Sequence, residues 1–328
     1  MLIRMVTPAP AGSKSGNRVS ALRWAHFLRE LGHRVIVQTD YSGERADVLF
    51  ALHAKKSAAA VRRFAECHDA SIVVALTGTD LYRDLERSPR ARETLQRATR
   101  IVALQPMAMK RLSPPLRDKT RVILQSAEPL APVSRNPHTF DVCVVGHLRS
   151  VKDPLRAALA VRRLEPESRI RVLQAGAALS PALATRAMRE MRRNARYRWL
   201  GELSRHRSRR LIARSRLLVL SSRMEGGANV VSEAIVLGTP ILASRIEGTI
   251  GQLGADYPGY FEVGDTRGLA ELLARAERDP RFLQTLTRWC TRLAPRFSPD
   301  RERAALAALM RELAAGRAAA HGAGRRRR

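Results

Sequence analysis

The stretch richest in potential chemistry is Ser222-Arg-Met-Glu225-Gly226-Gly227-Ala228-Asn229-Val-Val-Ser-Glu233. A buried apolar run, Leu217–Leu220, leads into it, and a helical pattern over Asn229–Leu237 leads out. Glycines let a backbone approach a ligand closely, and a helix N-terminus offers amide donors and a positive dipole end to a diphosphate. Glu225 in the loop and Glu233 about one turn inside the helix could accept hydrogen bonds from hydroxyls on different parts of one elongated ligand. The same residues also read as an ordinary strand–turn–helix with both glutamates in water, because strand–Gly–helix joints are common.

Three further loops follow predicted strands. Val144-Val-Gly146-His147-Leu-Arg149-Ser-Val-Lys152-Asp places two cations after a strand, and phosphate sites favour both types. Arg149 and Lys152 are expected to line the same side of the strand exit; they also read as exposed loop cations. Thr7-Pro-Ala-Pro-Ala-Gly12-Ser-Lys14-Ser-Gly16-Asn17-Arg18 is a small-residue loop at the start of a helix, suited to a small oxyanion. It is not a P-loop, since G-x-x-x-x-G-K-[ST] is absent. Arg18 lies in the first helical turn, where a cation opposes the dipole and is easier to explain beside an anion. The fourth loop is Thr77-Gly78-Thr79-Asp80-Leu-Tyr-Arg83. Here Asp80 reads either as a helix N-cap or as a group that orients cations or binds a sugar.

These loops need strands to present them. Hydrophobic period predicts strands at Leu2–Thr7, Arg34–Gln38, Val48–Leu52, Ile72–Leu76, Ile101–Leu104 and Val122–Leu124. Helical patterns lie between them at Asn17–Leu31 and Lys56–Cys67, with a broken one over Leu81–Ala98. After a proline-bearing linker at Glu128–His138, strands recur at Phe140–Val145, Ile170–Gln174, Arg198–Leu200, Leu217–Leu220 and Ile241–Ala243. Helices are predicted between these at Pro154–Leu164, Pro181–Asn194, Arg205–Ser215 and Asn229–Leu237, and over the last 40 or so residues. Alternating strand and helix predicts α/β halves with parallel sheets. Two Rossmann-like domains facing across a cleft are therefore expected, with ligands at the carboxyl ends of the strands. The domains are drawn at 1–135 and 136–295, with a helix at 296–316 packing toward the first domain and a disordered basic tail at 317–328.

Composition bounds the rest. The 328 residues carry 59 Lys+Arg against 30 Asp+Glu, a net charge of +29 that first suggests a polyanionic partner. Only six of the basic residues are lysine. That skew, with the many alanines, is what a GC-rich coding bias produces. Aromatics are only 5%, and no finger, RRM or basic-zipper pattern appears, so specific nucleic-acid binding is not expected. No run is long and apolar enough to span a membrane, and the first residues lack the n-region, h-region and cleavage site of a secretion signal. A cytoplasmic protein without stable membrane anchoring is the expectation. The three cysteines show no C-x-x-C spacing, and the eight histidines form no H-x-x-x-H or H-E-x-x-H pattern. Neither a metal nor a cofactor is expected.

Glu225, seven residues, Glu233, then Gly238-Thr-Pro240-Ile-Leu-Ala-Ser244 and Glu247-Gly248, resembles the donor-site region of GT-B glycosyltransferases of the retaining, Glu-x7-Glu type. Trp199-Leu-Gly201-Glu and the Gly146–Lys152 loop fit as well. The resemblance implies that Glu233 holds the ribose hydroxyls of a nucleotide sugar. Glu225 would hold hydroxyls of the donor sugar, beside Gly226, Gly227, Ala228 and Asn229. Gly146, His147 and Gly201 join this donor set by the same likeness. Lys152 matches the family's diphosphate-binding lysine. The family's arginine directly follows the glycine, where this chain has His147, so either His147 or Arg149 partners Lys152. Lys152, Arg149 and Glu225 are the expected catalytic residues, acting on the leaving diphosphate by electrostatics.

Asn17-Arg-Val-Ser-Ala-Leu-Arg-Trp24-Ala, Ala75-Leu-Thr-Gly-Thr-Asp-Leu-Tyr82-Arg83 and Val145–Pro154 are similar to the selenosugar synthases of selenoneine biosynthesis. That resemblance implies transfer of a sugar, notably from UDP-N-acetylglucosamine, to selenophosphate, with release of UDP and phosphate. It also implies functional links to a selenophosphate synthase and to a downstream iron-dependent enzyme. The acceptor would lie against Gly12, Lys14, Gly16, Asn17, Arg18, Thr77, Gly78, Thr79, Asp80 and Arg83. A conventional UDP-sugar-dependent transferase acting on a hydroxyl of a glycolipid or polysaccharide is the alternative.

Overall fold

The structure is a computed structural model and describes residues 1–325, with side chains through Ala318. The chain divides into two compact units, Met1–Gln125 joined by the segment from Pro299 onward, and Ser126–Ser298.

The first unit opens β1 (Leu2–Val6), α1 (Gly16–Glu30), β2 (Arg34–Gln38), β3 (Val48–Leu52), α2 (Ala58–Cys67) and β4 (Ser71–Leu76). It continues through a π-helical turn at Asp80–Asp84 into α3 (Leu85–Arg87), α4 (Pro89–Arg97) and β5 (Arg100–Ala103). A 3-10 turn at Pro106–Arg111, α5 (Pro114–Asp118) and β6 (Thr120–Val122) follow. The strands form one parallel sheet in the order β2-β1-β3-β4-β5-β6. β3 and β4 are buried along their whole length, which is why they read as unbroken apolar runs rather than alternating ones. The helical pattern breaks after α3 because Ser88 caps α4, accepting from the Ala91 amide, and Pro89 opens it.

The second unit contains β7 (Phe140–Val145), α6 (Arg156–Val161), β8 (Ile170–Ala175), α7 (Pro181–Arg193), β9 (Tyr197–Trp199) and α8 (Arg205–Arg214). Then come β10 (Leu217–Leu220), α9 (Asn229–Val236), β11 (Ile241–Ser244), α10 (Glu247–Leu253), β12 (Tyr260–Phe261), α11 (Thr266–Arg278) and α12 (Pro280–Leu293). Its parallel sheet runs β12-β11-β10-β7-β8-β9. The sequence predicts no element at α10, β12 or α11. β12 is two residues long, too short to show a period, and α11 abuts α12 at a single junction. There Asp279 ends one helix and caps the next, its carboxylate accepting from the Arg281 and Phe282 amides.

The second unit begins at Ser126, ten residues before the boundary drawn from the prolines. Buried Arg209 on α8 explains this: its guanidinium donates to the carbonyl of Glu128, and the Ala127 amide donates to the Phe297 carbonyl at 3.1 Å. Prolines marked a segment without regular structure, but these bonds fasten it. Arg196, in the same arginine-rich stretch, also has a local task, donating to the carbonyls of Leu164, Glu165, Pro166 and Ser168 ahead of β8.

The last helix, α13 (Pro299–Arg325), returns to the first unit. Leu306, Leu309, Met310 and Leu313 are buried in one core with Trp24, Phe27 and Leu28 of α1. Glu302, 2% exposed, accepts from Arg23 Nε at 2.8 Å and from Trp24 Nε1 at 2.5 Å. The helix continues through most of the segment drawn as a tail, and residues 326–328 of that tail lie outside the described residues. Among the described residues, no helix is long and apolar enough to cross a membrane, and no group of three or more His, Cys, Asp or Glu side chains could hold a metal ion.

Candidate functional site

In each sheet the strand order reverses once. In the second unit the chain steps from β7 outward to β8 and β9, then crosses back to β10, so the loops after β7 and β10 leave the sheet on opposite sides. Such a reversal opens a crevice at the carboxyl ends of the two strands. Lys152, after β7, and Glu225, after β10, meet there: Lys152 Nζ lies 2.6 Å from Glu225 Oε1. Ser222 Oγ donates to the same oxygen at 2.6 Å. Glu225 is 9% exposed, so its carboxylate is held rather than solvated. The two loops are also joined through the backbone: the Arg223 amide donates to the Val151 carbonyl at 2.8 Å, and Ser221 Oγ donates to the Asp153 carbonyl at 2.9 Å.

Close backbone approach builds the neighbouring part of this edge. A Cβ on Gly176, after β8, would stand 2.0 Å from the Gly146 carbonyl oxygen. The Gly176 amide donates to the Gly201 carbonyl at 2.7 Å, which places Gly146, Gly176 and Gly201 side by side at the ends of β7, β8 and β9. A Cβ on Gly248, in the first turn of α10, would stand 2.1 Å from the Glu225 carbonyl oxygen. Neither position tolerates a side chain without moving the candidate site.

Two sequence expectations change here. β7 ends at Val145 and Ser150–Lys152 forms a 3-10 turn, so Arg149 and Lys152 do not line one side of an extended strand exit. Leu148 turns into the core, Arg149 is exposed, and His147 is half-buried in the same loop. Lys152 alone of the three meets Glu225. The second change concerns Ala228, whose amide donates to Gln252 Oε1 at 3.0 Å while Gln252 Nε2 donates back to the Ala228 carbonyl. That amide is occupied inside the protein, although the turn Gly226–Asn229 does open α9 as the sequence predicts. Glu233 lies half-buried on α9.

The first unit reverses between β1 and β3. Thr7 closes β1, and its Oγ1 is buried with no hydrogen-bond partner. Ser15 stands at the N-cap of α1 but makes no cap bond, and Ser15 Oγ and Arg18 Nε are likewise enclosed and unpartnered. The first turn of α1 has no acidic residue. The positive end of a 15-residue helix is therefore not balanced within that turn. Gly12, with φ +80°, turns the loop; Lys14 and Gly16 are exposed, and Asn17 is half-buried.

The loop after β4 corrects the reading of Asp80. Its carboxylate is wholly buried and accepts from the backbone amides of Ala54 at 3.0 Å, Thr77 at 2.9 Å and Gly78 at 2.8 Å. It is neither a helix N-cap nor available to a ligand, and it ties the loops after β3 and β4 together. Gly78, with φ +137°, lets the chain fold back over it. Thr77 and Thr79 stay half-buried, and Arg83 is exposed with Nε donating to Asp84 at 3.2 Å.

Sequence reasoning missed His53, Lys55 and Asp84. His53 follows β3 and is 3% exposed, and its Nε2 lies 3.0 Å from Thr79 Oγ1. Lys55 Nζ lies 3.6 Å from Asp84, which Arg83 also reaches. The available signal was positional: a histidine directly after a fully apolar five-residue strand sits at a carboxyl end.

Residues 131–290 match the family model for glycosyl transferases group 1. No curated protein matches the chain in sequence. Among solved structures, the chain is similar to Anabaena Alr3699/HepE in complex with UDP and glucose, with a TM-score of 0.75 at 15% identity, covering 95% of this chain and 100% of that one. Similarity to sucrose-phosphate synthase from Thermosynechococcus elongatus gives a TM-score of 0.80 at 14% identity, over 96% of this chain and 99% of the other. For the UDP-forming α,α-trehalose-phosphate synthase of Burkholderia xenovorans with glucose-6-phosphate the TM-score is 0.65 at 13% identity, over 92% and 79% of the two chains. The chain thus has the GT-B fold of two Rossmann-like α/β domains, and its second unit carries the match to glycosyl transferases group 1.

Proposed function

We propose that the protein is a glycosyltransferase that takes a sugar, N-acetylglucosamine by preference, from a UDP-sugar and passes it to selenophosphate. The observation that carries the donor half is the Lys152–Glu225 pair at the strand reversal, inside the segment that matches the family model. Complexes of the similar Anabaena structure with UDP and with UDP-glucose support a UDP-sugar donor. Lys152 neutralises charge on the leaving diphosphate, Glu225 holds that lysine and a donor hydroxyl, and Glu233 takes the ribose. His147, Arg149, Gly146, Gly201 and the Gly226–Asn229 turn complete the donor site.

The acceptor reading is supported by the enclosed, unpartnered polar atoms of Thr7, directly after β1, and of Ser15 and Arg18 at an uncapped helix start. Those atoms suit a small oxyanion. Selenium is already nucleophilic, so no strong general base is needed. The selenium forms a bond to the anomeric carbon while the carbon–oxygen bond to UDP breaks, and UDP leaves with the electron pair. Water later cleaves the selenium–phosphorus bond and phosphate departs. Such an enzyme consumes the product of a selenophosphate synthase and feeds an iron-dependent enzyme.

The test is mass spectrometry of products after incubation with selenophosphate and a panel of UDP-sugars. A selenium isotope pattern on a hexosamine is expected, and its absence removes the acceptor assignment. The second reading is transfer to a hydroxyl of a glycolipid or polysaccharide. It is favoured by α7, which exposes Met188 (48%) and Met191 (36%) among arginines, as an interfacial helix does. Flotation with anionic liposomes separates the two.

A further inference from the structure

His53 is a buried titratable group for which the donor and acceptor roles above have no use, and its surroundings define its protonation. It is one of two non-glycine residues with positive φ among the described residues, at +75°. A non-glycine residue in this region is strained and persists only where its surroundings over-determine it. Here the backbone is held on both sides: the His53 amide donates to Ala75 at 2.8 Å, and its carbonyl accepts from the Ser57 amide at 3.0 Å. The ring is held as well. The Lys56 amide donates to His53 Nδ1 at 3.3 Å, so Nδ1 carries the lone pair and the neutral ring carries its proton on Nε2. Burial keeps the imidazole below its ordinary pKa, against the opposing pull of Asp80 and Asp84.

Nε2–H therefore donates to Thr79 Oγ1 across 3.0 Å. A hydroxyl that accepts this bond keeps its own proton to give away, and Thr79 Oγ1 has no other partner among the described residues. Lys55 and Arg83, both about half exposed, are held on the Asp84 carboxylate, whose Oδ2 lies 4.0 Å from His53 Nε2. We infer that His53 is a positioning residue whose Nε2–H bond orients the Thr79 hydroxyl and leaves its proton for a ligand that presents an anionic oxygen at the end of β4. This inference rests on the acceptor reading above for its biological ligand, but not for its test.

The experiment uses the full chain with ¹⁵N-labelled histidine, His53→Asn serving to assign the His53 signals because asparagine tolerates positive φ. At pH 7.5 the long-range ¹H–¹⁵N pattern is expected to show His53 as the Nε2–H tautomer. Inorganic phosphate is then titrated into wild type, Thr79→Val and Thr79→Ser. Losing a hydrogen bond to a charged group should weaken phosphate binding by about tenfold or more in Thr79→Val, while Thr79→Ser stays within about twofold of wild type. His53→Asn should weaken phosphate binding as Thr79→Val does and leave UDP binding unchanged. An Nδ1–H tautomer, no binding of phosphate to wild type, or equal binding to Thr79→Val would each overturn the inference. A protein that binds phosphate in this pattern yet yields no selenosugar would refute the selenophosphate assignment and leave the role of His53 standing.

Discussion

Glu302→Gln tests how the last helix belongs to the first unit. The Glu302 carboxylate is 1% exposed and faces Arg23, whose side chain is 8% exposed. One oxygen takes Arg23 Nε at 2.8 Å; the other takes Trp24 Nε1 at 2.5 Å and Arg23 Nη2 at 3.2 Å. Glutamine keeps the shape, removes the charge and turns an NH₂ toward a guanidinium that has only donors. Removing one partner of a buried pair costs about 3–5 kcal/mol, because the other charge stays buried and uncompensated. Against this stand Leu306, Leu309, Met310 and Leu313, all 2% exposed or less. At roughly 1.5–3 kcal/mol each, they hold α13 by about 6–12 kcal/mol. The helix should therefore stay docked but open far more often. With about 1.4 kcal/mol per tenfold, amide exchange along α13 should accelerate by roughly 10²- to 10⁴-fold. Hydrogen-exchange mass spectrometry over residues 299–318 measures this, and urea unfolding followed by tryptophan fluorescence gives the accompanying loss of stability. Unchanged exchange in Glu302→Gln would refute the argument, since it would mean that the pair contributes nothing to docking.

Three other outcomes follow from the same geometry. Hydrogen bonds from Arg121, then Arg100, hold the Glu312 carboxyl below its ordinary value, so its contribution is complete above the usual glutamate range and is lost as pH falls through the lowered folded value. Urea midpoints of wild type should drop more steeply below about pH 4.3 than those of Glu312→Gln. Burial pushes the thiols of Cys143 and Cys290 up to about 12, whereas Cys67 is exposed, so a thiol reagent at pH 8 should label only Cys67 until denaturant is added. Lys152→Ala and Glu233→Ala should each raise the dissociation constant for UDP about tenfold or more by calorimetry, while Arg18→Ala leaves it unchanged. Equal affinities in all four proteins would remove the donor assignment.

Local signals carried much of the fold. β3 and β10 lie where their apolar runs place them, because a strand buried on both faces must be apolar along its whole length. The same signals located the loops, since loops are what lies between such runs. What they could not reveal is which loop atoms are already spent. Asp80 looked like a cap or a ligand group, and only the approach of the loop after β3 shows it consumed by the amides of Ala54, Thr77 and Gly78. His53 carried no motif, and its backbone conformation, tautomer and partner all come from residues brought to it by folding.

The pairing of Lys152 with Glu225 shows the division most plainly. Sequence by itself determined that a lysine follows one strand and a glutamate another, each near glycines. Their meeting across 73 positions depends on β7 and β10 lying side by side where the strand order reverses. Strand order is set by long-range pairing and crossover packing, which leave no local trace in composition or period. The glycines divide in the same way. Sequence shows that Gly176 and Gly248 are glycines. Only the structure shows why, because backbone oxygens of Gly146 and Glu225 occupy the space a Cβ would need.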